Sequence, residues 1–298
     1  MNKQQKEIEL SIIILTYDSE SQLPLCLDSI YKYNHEKLFT GDWELIVIDN
    51  NSSDQTVPDL KKSLPQYPNL TLIENRENLG FGPANNLAAK KAGGKFVLFL
   101  NPDTELERNS VILPLQYLQG GINVGAVSPK LVLGNGQIDM TCHRGFPTPW
   151  NSFCYFSGLS KLFPQSKLFS GYTLGNLNFD KPHDVDAISG AYFLMPKSLG
   201  QQLKFFDPAF FWKGEDLDFC YRIKEKGYKI MYLPQASVHH YKGSSHGHKR
   251  GSKTLQARFE VMRLFYDKHY QNKYPFWMRS LVLAGVKLRY LMAYLTGK

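Results

Sequence analysis

The sequence predicts an α/β fold built on a parallel β-sheet. Short apolar runs rich in β-branched residues alternate with amphipathic segments through the first hundred residues, and each run ends in polar residues. Such runs are typical of strands buried on both faces, and their alternation with helices indicates parallel strands in one sheet. The predicted strands span residues 11–15, 44–48, 70–74 and 96–100.

The segments between these strands carry helix and turn signals. Residues 22–33 form an amphipathic pattern, residues 50–54 are a polar turn that begins a helix, and residues 84–92 form a short helix stopped by two glycines. Asp49 ends the second strand and Asp103 follows the fourth. Because ligands bind at the carboxyl ends of parallel strands, we expect both aspartates at the binding edge of the sheet.

The alternation weakens after about residue 118, and the pattern becomes α+β. Residues 124–129, 184–195 and 228–233 are predicted strands, whereas residues 141–181, rich in Phe, Pro, Gly and Ser, yield no assignment. We therefore expect a first half at 1–118, a second half of the same domain at 119–250 that faces it across a cleft, and a basic helical extension at 251–298.

The net charge of +8 is concentrated at the C-terminal end. Residues 241–298 hold 12 Lys+Arg against Glu260 and Asp267, which leaves 23 Lys+Arg and 25 Asp+Glu in the first 240 residues. A basic segment suits an anionic surface such as membrane lipid or a diphosphate, and a solvated basic helix is the alternative. Nucleic acid is not expected as a partner, because no nucleic-acid-binding motif is present.

The pattern of apolar residues bears on whether the protein contacts a membrane and in which compartment it is expected. Residues 276–295 are mostly apolar but contain three cations within an arc of roughly 160° on a helix, which suits a helix lying in a bilayer interface. A terminal helix packed on its own domain fits equally well. No run of 18 apolar residues, no apolar signal region and no C-x-x-C pair is present, so we expect a cytoplasmic protein with reduced cysteines, peripheral to the inner membrane face if it binds lipid.

Three groups of residues are candidates for chemistry. Asp49 and Asp103 could together hold a nucleotide and a hard cation, although either alone also fits a polar turn. The loop at 78–82, Asn-Leu-Gly-Phe-Gly, precedes a helix and suits an anionic ligand, and an ordinary loop explains it equally well. His239 and His240 end a strand and precede a Gly/Ser/basic loop, so one of them could complete a metal site; zinc is not expected, because no Cys is near.

The most specific local signal is the acidic cluster Glu215, Asp216 and Asp218, preceded by the aromatic run at 210–212. Crowded carboxylates repel one another, which raises the proton affinity of at least one of them. A carboxylate beside aromatic walls can take a proton from a hydroxyl. For Asp218, an acidic first helical turn stabilised by the helix dipole is the preferred interpretation.

Taken in order, these segments resemble the family 2 glycosyltransferases of the GT-A fold, in their bacterial rhamnosyltransferase-like branch. The resemblance runs from about residue 10 to residue 245. It rests on SIIILTYDSE, ELIVIDNNSSDQT, ENLGFGPANNLAAKKA, FVLFLNPDTEL, VDAISGAYFLMPKS, FFDPAFFWKGEDLDFCYRIKEKGYKIMYLP and SVHHYKGSS. It implies a Rossmann-like mixed sheet flanked by helices, with a nucleotide-sugar-binding half at 1–118 and an acceptor-binding, catalytic half at 119–250.

The resemblance also implies roles for individual residues. Asp216 is the implied general base, and Asp103 with His239 would bind a divalent cation, Mg²⁺ or Mn²⁺, His240 being the alternative ligand. Asn101 stands where relatives carry a further acid, which leaves one charge fewer on the ion. The implied substrate-binding residues are Thr16, Tyr17, Asp49, Asn78, Gly80, Asn86, Glu215 and Trp212.

The implied reaction is an inverting, metal-dependent transfer from a dTDP- or UDP-sugar, with rhamnose or a related deoxysugar expected. The acceptor would be a saccharide or a lipid-diphosphate-linked saccharide in cell-surface polysaccharide synthesis. A non-processive enzyme is expected because the Q-x-x-R-W motif is missing. The alternatives are another hexosyl- or GlcNAc-transferase of the same fold and a catalytically inactive nucleotide-sugar-binding scaffold; a nucleotidyltransferase is disfavoured because residues 16–20 lack glycine.

Overall fold

The computed structural model describes residues 7–211, 213–242 and 252–296, and it confirms the α/β class. The strands within those residues are β1 Leu10–Thr16, β2 Trp43–Asp49, β3 Leu70–Glu74, β4 Phe96–Leu100, β5 Thr104–Leu106, β6 Val124–Leu133, β7 His183–Val185, β8 Tyr192–Pro196 and β9 Lys229–His240. The helices are α1 Leu23–Phe39, α2 Thr56–Ser63, α3 Phe81–Lys91, α4 Ile112–Gly120, α5 Pro149–Phe156, α6 Leu159–Leu162, α7 Lys197–Gln202, α8 Glu215–Glu225, α9 Ser252–His269 and α10 Phe276–Thr296.

The sheet is mixed and runs in the order β3-β2-β1-β4-β8-β6-β9-β5, with β7 paired to β9. The four predicted N-terminal strands are parallel to one another, as expected. The central residues of β1, at 12–14, are fully buried, because helices cover both faces of this half. The register pairs Thr16 with Asp49 and Asp49 with Glu74, so the carboxyl ends of β1, β2 and β3 form one edge.

The second half adds antiparallel pairing. β8 runs antiparallel to β4, and β5 runs antiparallel to β9. The predicted single strand at 184–195 was wrong: β7 and β8 are separate strands, because β7 pairs with β9 whereas β8 pairs with β4. β5 was not predicted, since three residues are too few to show a period. Residues 141–181 contain α5, α6 and turns.

The C-terminal helices pack on each other. Arg279 on α10 donates two hydrogen bonds to Asp267 on α9, at 2.6 and 2.9 Å. Trp277, Leu281 and Leu288 on α10 are exposed. Among the described residues, no helix combines the length and apolarity needed to cross a bilayer. α10 therefore packs on α9, in line with the alternative of a terminal helix packed on its own chain. Membrane contact by this extension stays a prediction.

Candidate active site

The ends of β1 and β2 place Thr16 and Asp49 side by side. Thr16 is fully buried, and its Oγ1 has no hydrogen-bond partner within the described residues. Tyr17, the next residue, leaves 45% of its surface exposed. A buried hydroxyl without a partner is unusual in a folded protein, so an orphan at a sheet edge is well placed to meet a ligand.

Asp49 closes the turn that follows β2. Its Oδ1 accepts a hydrogen bond from Ser52 Oγ at 2.5 Å, and its Oδ2 accepts one from Ser52 N at 2.9 Å. Burial raises the pKa of the Asp49 carboxyl, although the bonds from Ser52 oppose the shift. The structure thus gives Asp49 a turn-closing function beside Thr16, and its contact with a nucleotide stays a prediction.

Asn50 was missed by the sequence reasoning, yet it ties the loop at 75–80 to the sheet edge. Its backbone N–H donates to Thr16 O at 2.8 Å, and its Nδ2 donates to Asn78 Oδ1 at 2.8 Å. Its Oδ1 accepts from Leu79 N at 3.0 Å and from Asn75 Nδ2 at 3.1 Å. The available signal was an Asn directly after a strand-ending Asp. Asn50 therefore positions Asn78 at the predicted nucleotide site.

Gly80 precedes α3 in a conformation that requires glycine. Its φ is +80°, and a β-carbon there would lie 2.9 Å from the Phe211 ring. Asn78 Oδ1 accepts a hydrogen bond from Gly80 N at 2.9 Å. Asn78 and Gly80 are therefore brought together at the start of α3, whose unpaired N–H groups favour an anion.

Asn86, on α3, hydrogen-bonds to Phe206 instead of Asn78 or Gly80. Its Nδ2 donates to Phe206 O at 2.7 Å, and its Oδ1 accepts from Phe206 N at 3.0 Å. Both ends of the amide are used to fasten α3 to the second half. The structure thus gives Asn86 a bridging contact, and its lining of the nucleotide pocket stays a prediction.

Asp103 lies beside His240. The two side chains are nearly buried, with Asp103 Oδ1 3.4 Å from His240 Nε2. Within the described residues Asp103 Oδ1 has no hydrogen-bond partner, and 3.4 Å is longer than a strong charge-assisted bond. The other ring nitrogen, His240 Nδ1, donates to Asp139 Oδ2 at 2.8 Å, and Lys242 Nζ lies 2.6 Å from Asp139 Oδ1. Hydrogen bonds from His240 and Lys242 hold the pKa of Asp139 well below its usual range despite burial.

His239, the metal ligand preferred from the sequence, points elsewhere. Neighbouring residues of a strand face opposite sides of the sheet, so His239 and His240 cannot both reach Asp103. His239 Nε2 lies 2.9 Å from Glu107 Oε1, whereas His240 faces Asp103. The structure therefore brings together Asp103 and His240, the alternative pair, and not Asp103 and His239.

Asp103 and His240 fit a divalent cation that is shared with substrate. An unpartnered buried carboxylate oxygen lies next to a ring nitrogen whose opposite nitrogen is bonded to a carboxylate, the arrangement that orients a metal-binding histidine. Among the described residues no group of three His, Cys, Asp or Glu side chains is arranged to hold an ion. Two protein ligands suffice for Mg²⁺ or Mn²⁺ when phosphate oxygens supply others.

Asp216 at the start of α8 is held by the guanidinium of Arg144, a residue that the sequence reasoning did not identify. Arg144 Nη2 donates to Asp216 Oδ2 at 2.7 Å and to Ile188 O at 3.1 Å. Asp216 Oδ1 accepts from Leu217 N at 2.7 Å. Arg144 lies 72 positions away in a segment without a recognisable pattern, so no local signal could have paired the two.

The turn before β8 links Asp216 to the Asp103 end of the site. Gly190 N lies 3.4 Å from Asp216 Oδ2, and Ala191 O accepts a hydrogen bond from Asn101 N at 3.1 Å. A β-carbon on Gly190 would lie 3.0 Å from Phe81, the first residue of α3. The Gly190–Ala191 turn therefore contacts Asp216, the start of α3 and the turn that carries Asp103, and we expect the crevice of the site between these three groups.

Glu215 is buried next to Asp216. Burial and the neighbouring carboxylate raise the pKa of Glu215 to about 8, and its Oε2 has no hydrogen-bond partner within the described part of the chain. Burial therefore favours the protonated form of the Glu215 carboxyl, and its contact with substrate stays a prediction. Trp212, another predicted substrate-binding residue, lies outside the described residues.

Asp218 lies in the first turn of α8, as expected, and it also forms ion pairs that the sequence did not indicate. It is fully buried and pairs with Arg222 at 2.8 Å, Lys268 at 2.6 Å and His269 at 2.8 Å. Arg222 lies on α8 itself, whereas the pairs with Lys268 and His269 bind α8 to α9, so Asp218 fastens the C-terminal extension to the domain.

Comparison with known proteins decides the family. The model described as Glycosyl transferase family 2 matches residues 11–170, and one described as Glycosyltransferase like family 2 matches residues 169–258. The chain belongs to glycosyltransferase family 2. Its relatives include the N-acetylglucosaminyl-diphospho-decaprenol L-rhamnosyltransferase of Mycobacterium tuberculosis, 23% identical over 87% of this chain and 85% of the relative. Another is the low-salt glycan biosynthesis hexosyltransferase Agl10 of Haloferax volcanii, 25% identical over 74% of this chain and 64% of the relative.

Solved structures confirm the GT-A fold of this glycosyltransferase. The mannosyltransferase PcManGT from Pyrobaculum calidifontis, in complex with GDP-Man and Mn²⁺, matches with a TM-score of 0.57 at 18% identity over 89% of this chain. TarS of S. aureus matches with a TM-score of 0.57 at 20% identity over 86% of this chain. The chain spans 64% of each of these two solved chains.

Proposed function

We propose that this glycosyltransferase transfers one sugar, with inversion, from a nucleotide-diphosphate donor to a hydroxyl of a lipid-diphosphate-linked saccharide at the inner face of the plasma membrane. Rhamnose from dTDP-rhamnose is the first choice, because the mycobacterial relative, which matches over most of both chains, is named as an L-rhamnosyltransferase acting on a diphospho-decaprenol acceptor. The observation that carries the proposal is that one turn, at Gly190 and Ala191, contacts Asp216, the start of α3 and the Asp103 turn.

Each group of the proposed site has a separate role in the transfer reaction. Asp216, oriented by Arg144, takes the proton from the acceptor hydroxyl. The hydroxyl oxygen attacks the anomeric carbon from the side opposite the diphosphate, the bond from that carbon to the leaving phosphate oxygen breaks, and the configuration inverts. A divalent cation at Asp103 and His240, when bound, would supply charge neutralisation to the diphosphate. The N–H groups at the start of α3 add positive potential there.

The test combines a donor screen with a transfer assay. The protein is mixed with Mn²⁺ or Mg²⁺ and each of dTDP-rhamnose, UDP-GlcNAc, UDP-glucose and GDP-mannose, and its Tm is measured. Stabilising donors are then offered with a GlcNAc-diphosphate-lipid acceptor, and the anomeric configuration of the product is read by NMR. Transfer with inversion that EDTA abolishes is expected. Donor binding without transfer or hydrolysis would instead indicate an inactive scaffold, and transfer of GlcNAc or glucose alone would correct the donor.

A further inference from the structure

Residues 149–169 carry a surface of exposed apolar side chains that the proposed reaction does not use. We call it the aromatic surface. Its principal members, each with at least 42% of its area exposed, are Trp150, Phe153, Phe156, Leu162, Phe163 and Leu168. Single exposed hydrophobic residues are normal, but a contiguous group on one short segment marks an interaction site.

The aromatic surface is held in an outward-facing arrangement. The ring of Trp150 lies 5.7 Å from that of Phe153 and 6.3 Å from that of Phe169. Trp150 Nε1 donates to Leu168 O at 2.8 Å, which ties α5 to the turn after α6. Because the indole N–H is already bonded, the exposed ring has no polar group that must face water.

The charged side chains within this segment have one sign. Residues 140–179 contain no Asp or Glu, whereas Lys161 and Lys167 are exposed between the apolar side chains. Aromatic rings combined with lysines and no acids suit the boundary between anionic headgroups and acyl chains. A protein partner with an ordinary mixed-charge surface would match the exposed apolar side chains and the two lysines less well than a bilayer surface does.

The aromatic surface is connected to the general base through packed groups. Arg144, which binds Asp216, is followed by Gly145, whose N–H donates to Tyr172 O at 2.9 Å. The ring of Tyr172 lies 4.9 Å from that of Tyr155 on α5. The helix that carries Trp150, Phe153 and Phe156 is therefore linked through Tyr155, Tyr172 and Gly145 to the residue that binds Asp216.

We propose that the aromatic surface docks on the face of an anionic phospholipid bilayer, with Lys161 and Lys167 at the headgroups. The inference rests on the proposed function, because a lipid-diphosphate-linked acceptor has to be met at the bilayer surface. It assigns the contact to the catalytic domain, separately from the basic C-terminal extension. Docking there would hold the mouth of the crevice, near Arg144 and Asp216, against the lipid carrying the acceptor.

Flotation of the full chain with vesicles tests the proposal. Vesicles of phosphatidylcholine with and without phosphatidylglycerol are the probe, and the bound fraction is measured. The combined variant Trp150→Ser, Phe153→Ser and Phe156→Ser is expected to lower the partition coefficient about tenfold or more. The matched control, Phe39→Ser with Ile122→Ser, removes exposed apolar residues elsewhere and is expected to change partitioning less than about twofold. Tm and donor-induced stabilisation verify that each variant is folded.

Further variants keep the proposal falsifiable. Lys161→Glu with Lys167→Glu should reduce the preference for phosphatidylglycerol, and the loss of apolar side chains from α10 in Trp277→Ser with Leu281→Ser should lower partitioning less than the triple serine variant does. The proposal is overturned if the wild type does not float or if the triple serine variant floats equally well. It is also overturned if that variant only dissociates a dimer in sedimentation velocity, because a second copy would then cover the surface. Transfer to a water-soluble acceptor should be unchanged in the triple variant; loss of transfer in the wild type with every donor would refute the proposed function instead.

Discussion

Arg144 Nη2 donates to Asp216 Oδ2 at 2.7 Å, and each of the two side chains is 15% exposed. The pair joins the start of α8 to a segment 72 positions earlier in the chain. A carboxylate fixed in this way keeps one orientation before substrate arrives. Positioning of this kind matters because a general base acts only within hydrogen-bond reach of the proton it takes.

Asp216→Asn is expected to lower kcat by about 10²- to 10⁴-fold with little change in donor affinity, because an amide cannot accept the proton. Steady-state kinetics and donor binding by calorimetry measure both. Asp184→Asn is the matched control, because Asp184 on β7 pairs at 2.6 Å with Lys224 on α8, the helix that carries Asp216. This variant should keep kcat within about twofold. Turnover retained in Asp216→Asn would remove Asp216 from the general-base role.

Arg144→Met should destabilise the protein by about 3–5 kcal/mol, because it leaves a buried carboxylate without its partner. The double variant with Asp216→Asn is expected to regain part of that loss, since both charges are then gone. Urea unfolding of the wild type, the two single variants and the double variant gives the coupling energy. Additive effects would mean that the ion pair contributes nothing to folding.

His240→Ala should weaken Mn²⁺ binding in the presence of nucleotide much more than His239→Ala does, because His240 faces Asp103 and His239 faces Glu107. Asp139→Asn should weaken it by about 10- to 100-fold through loss of the bond that orients the ring. Titration calorimetry with Mn²⁺ and nucleotide ranks the three variants. The reverse ranking of the two histidines would restore the ligand preferred from the sequence.

The sequence predicted most of the first half of the fold because burial there has a simple period. Strands covered by helices on both faces become continuous apolar runs, and residues 12–14 and 45–48 are nearly or fully buried as expected. The break at 186–191 could not be predicted, because whether an apolar run stays one strand depends on which neighbours it pairs with. The choice between His239 and His240 similarly depends on the register of β9 against β5.

The candidate site was predicted where its residues are adjacent in sequence and missed where long-range contacts build it. Asp216 and Asp103 could be named from local motifs. Arg144, Asp139 and Asn50 act through partners 72, 101 and 28 positions away, and spacing does not reveal such pairs. Positioning residues contact other side chains, so their identity depends on the folded chain.

Asp218 allows a test of how the extension is held. Although burial opposes ionisation, hydrogen bonds and charges from His269, Arg222 and Lys268 keep the pKa of Asp218 below its usual value. A carboxyl with a lowered folded-state pKa stabilises above its unfolded pKa, and this stabilisation is lost as the pH falls below about 4. Asp218→Asn should therefore lower Tm at pH 7 and increase proteolysis of α9. Unchanged protection of α9 would show that apolar packing alone holds the helix.

His143, which is fully buried, pairs with the partly buried His183, and this pair predicts a second, separate acid sensitivity. Their Nε2 atoms lie 2.5 Å apart, and His183 Nδ1 bonds to Lys181 O at 2.8 Å. Burial lowers the pKa of both rings, which favours neutral histidines, and with Nδ1 of His183 donating to that carbonyl its Nε2 then accepts from His143. Burial and the neighbouring His183 lower the pKa of His143 to about 4.

A histidine whose folded-state pKa lies below the unfolded value of about 6.5 favours folding above that pH. The stabilisation is then lost as the pH falls from about 6.5 toward 4, by about 3 kcal/mol if the whole shift is realised. His143→Gln, which cannot be protonated, should flatten the dependence of the unfolding free energy on pH across this window, as measured by urea unfolding at several pH values. His35→Gln, at an exposed position on α1, should leave the slope unchanged. A wild-type slope retained in His143→Gln would place the acid sensitivity in other groups, and the histidine pair would then be a packing contact without a titrating function.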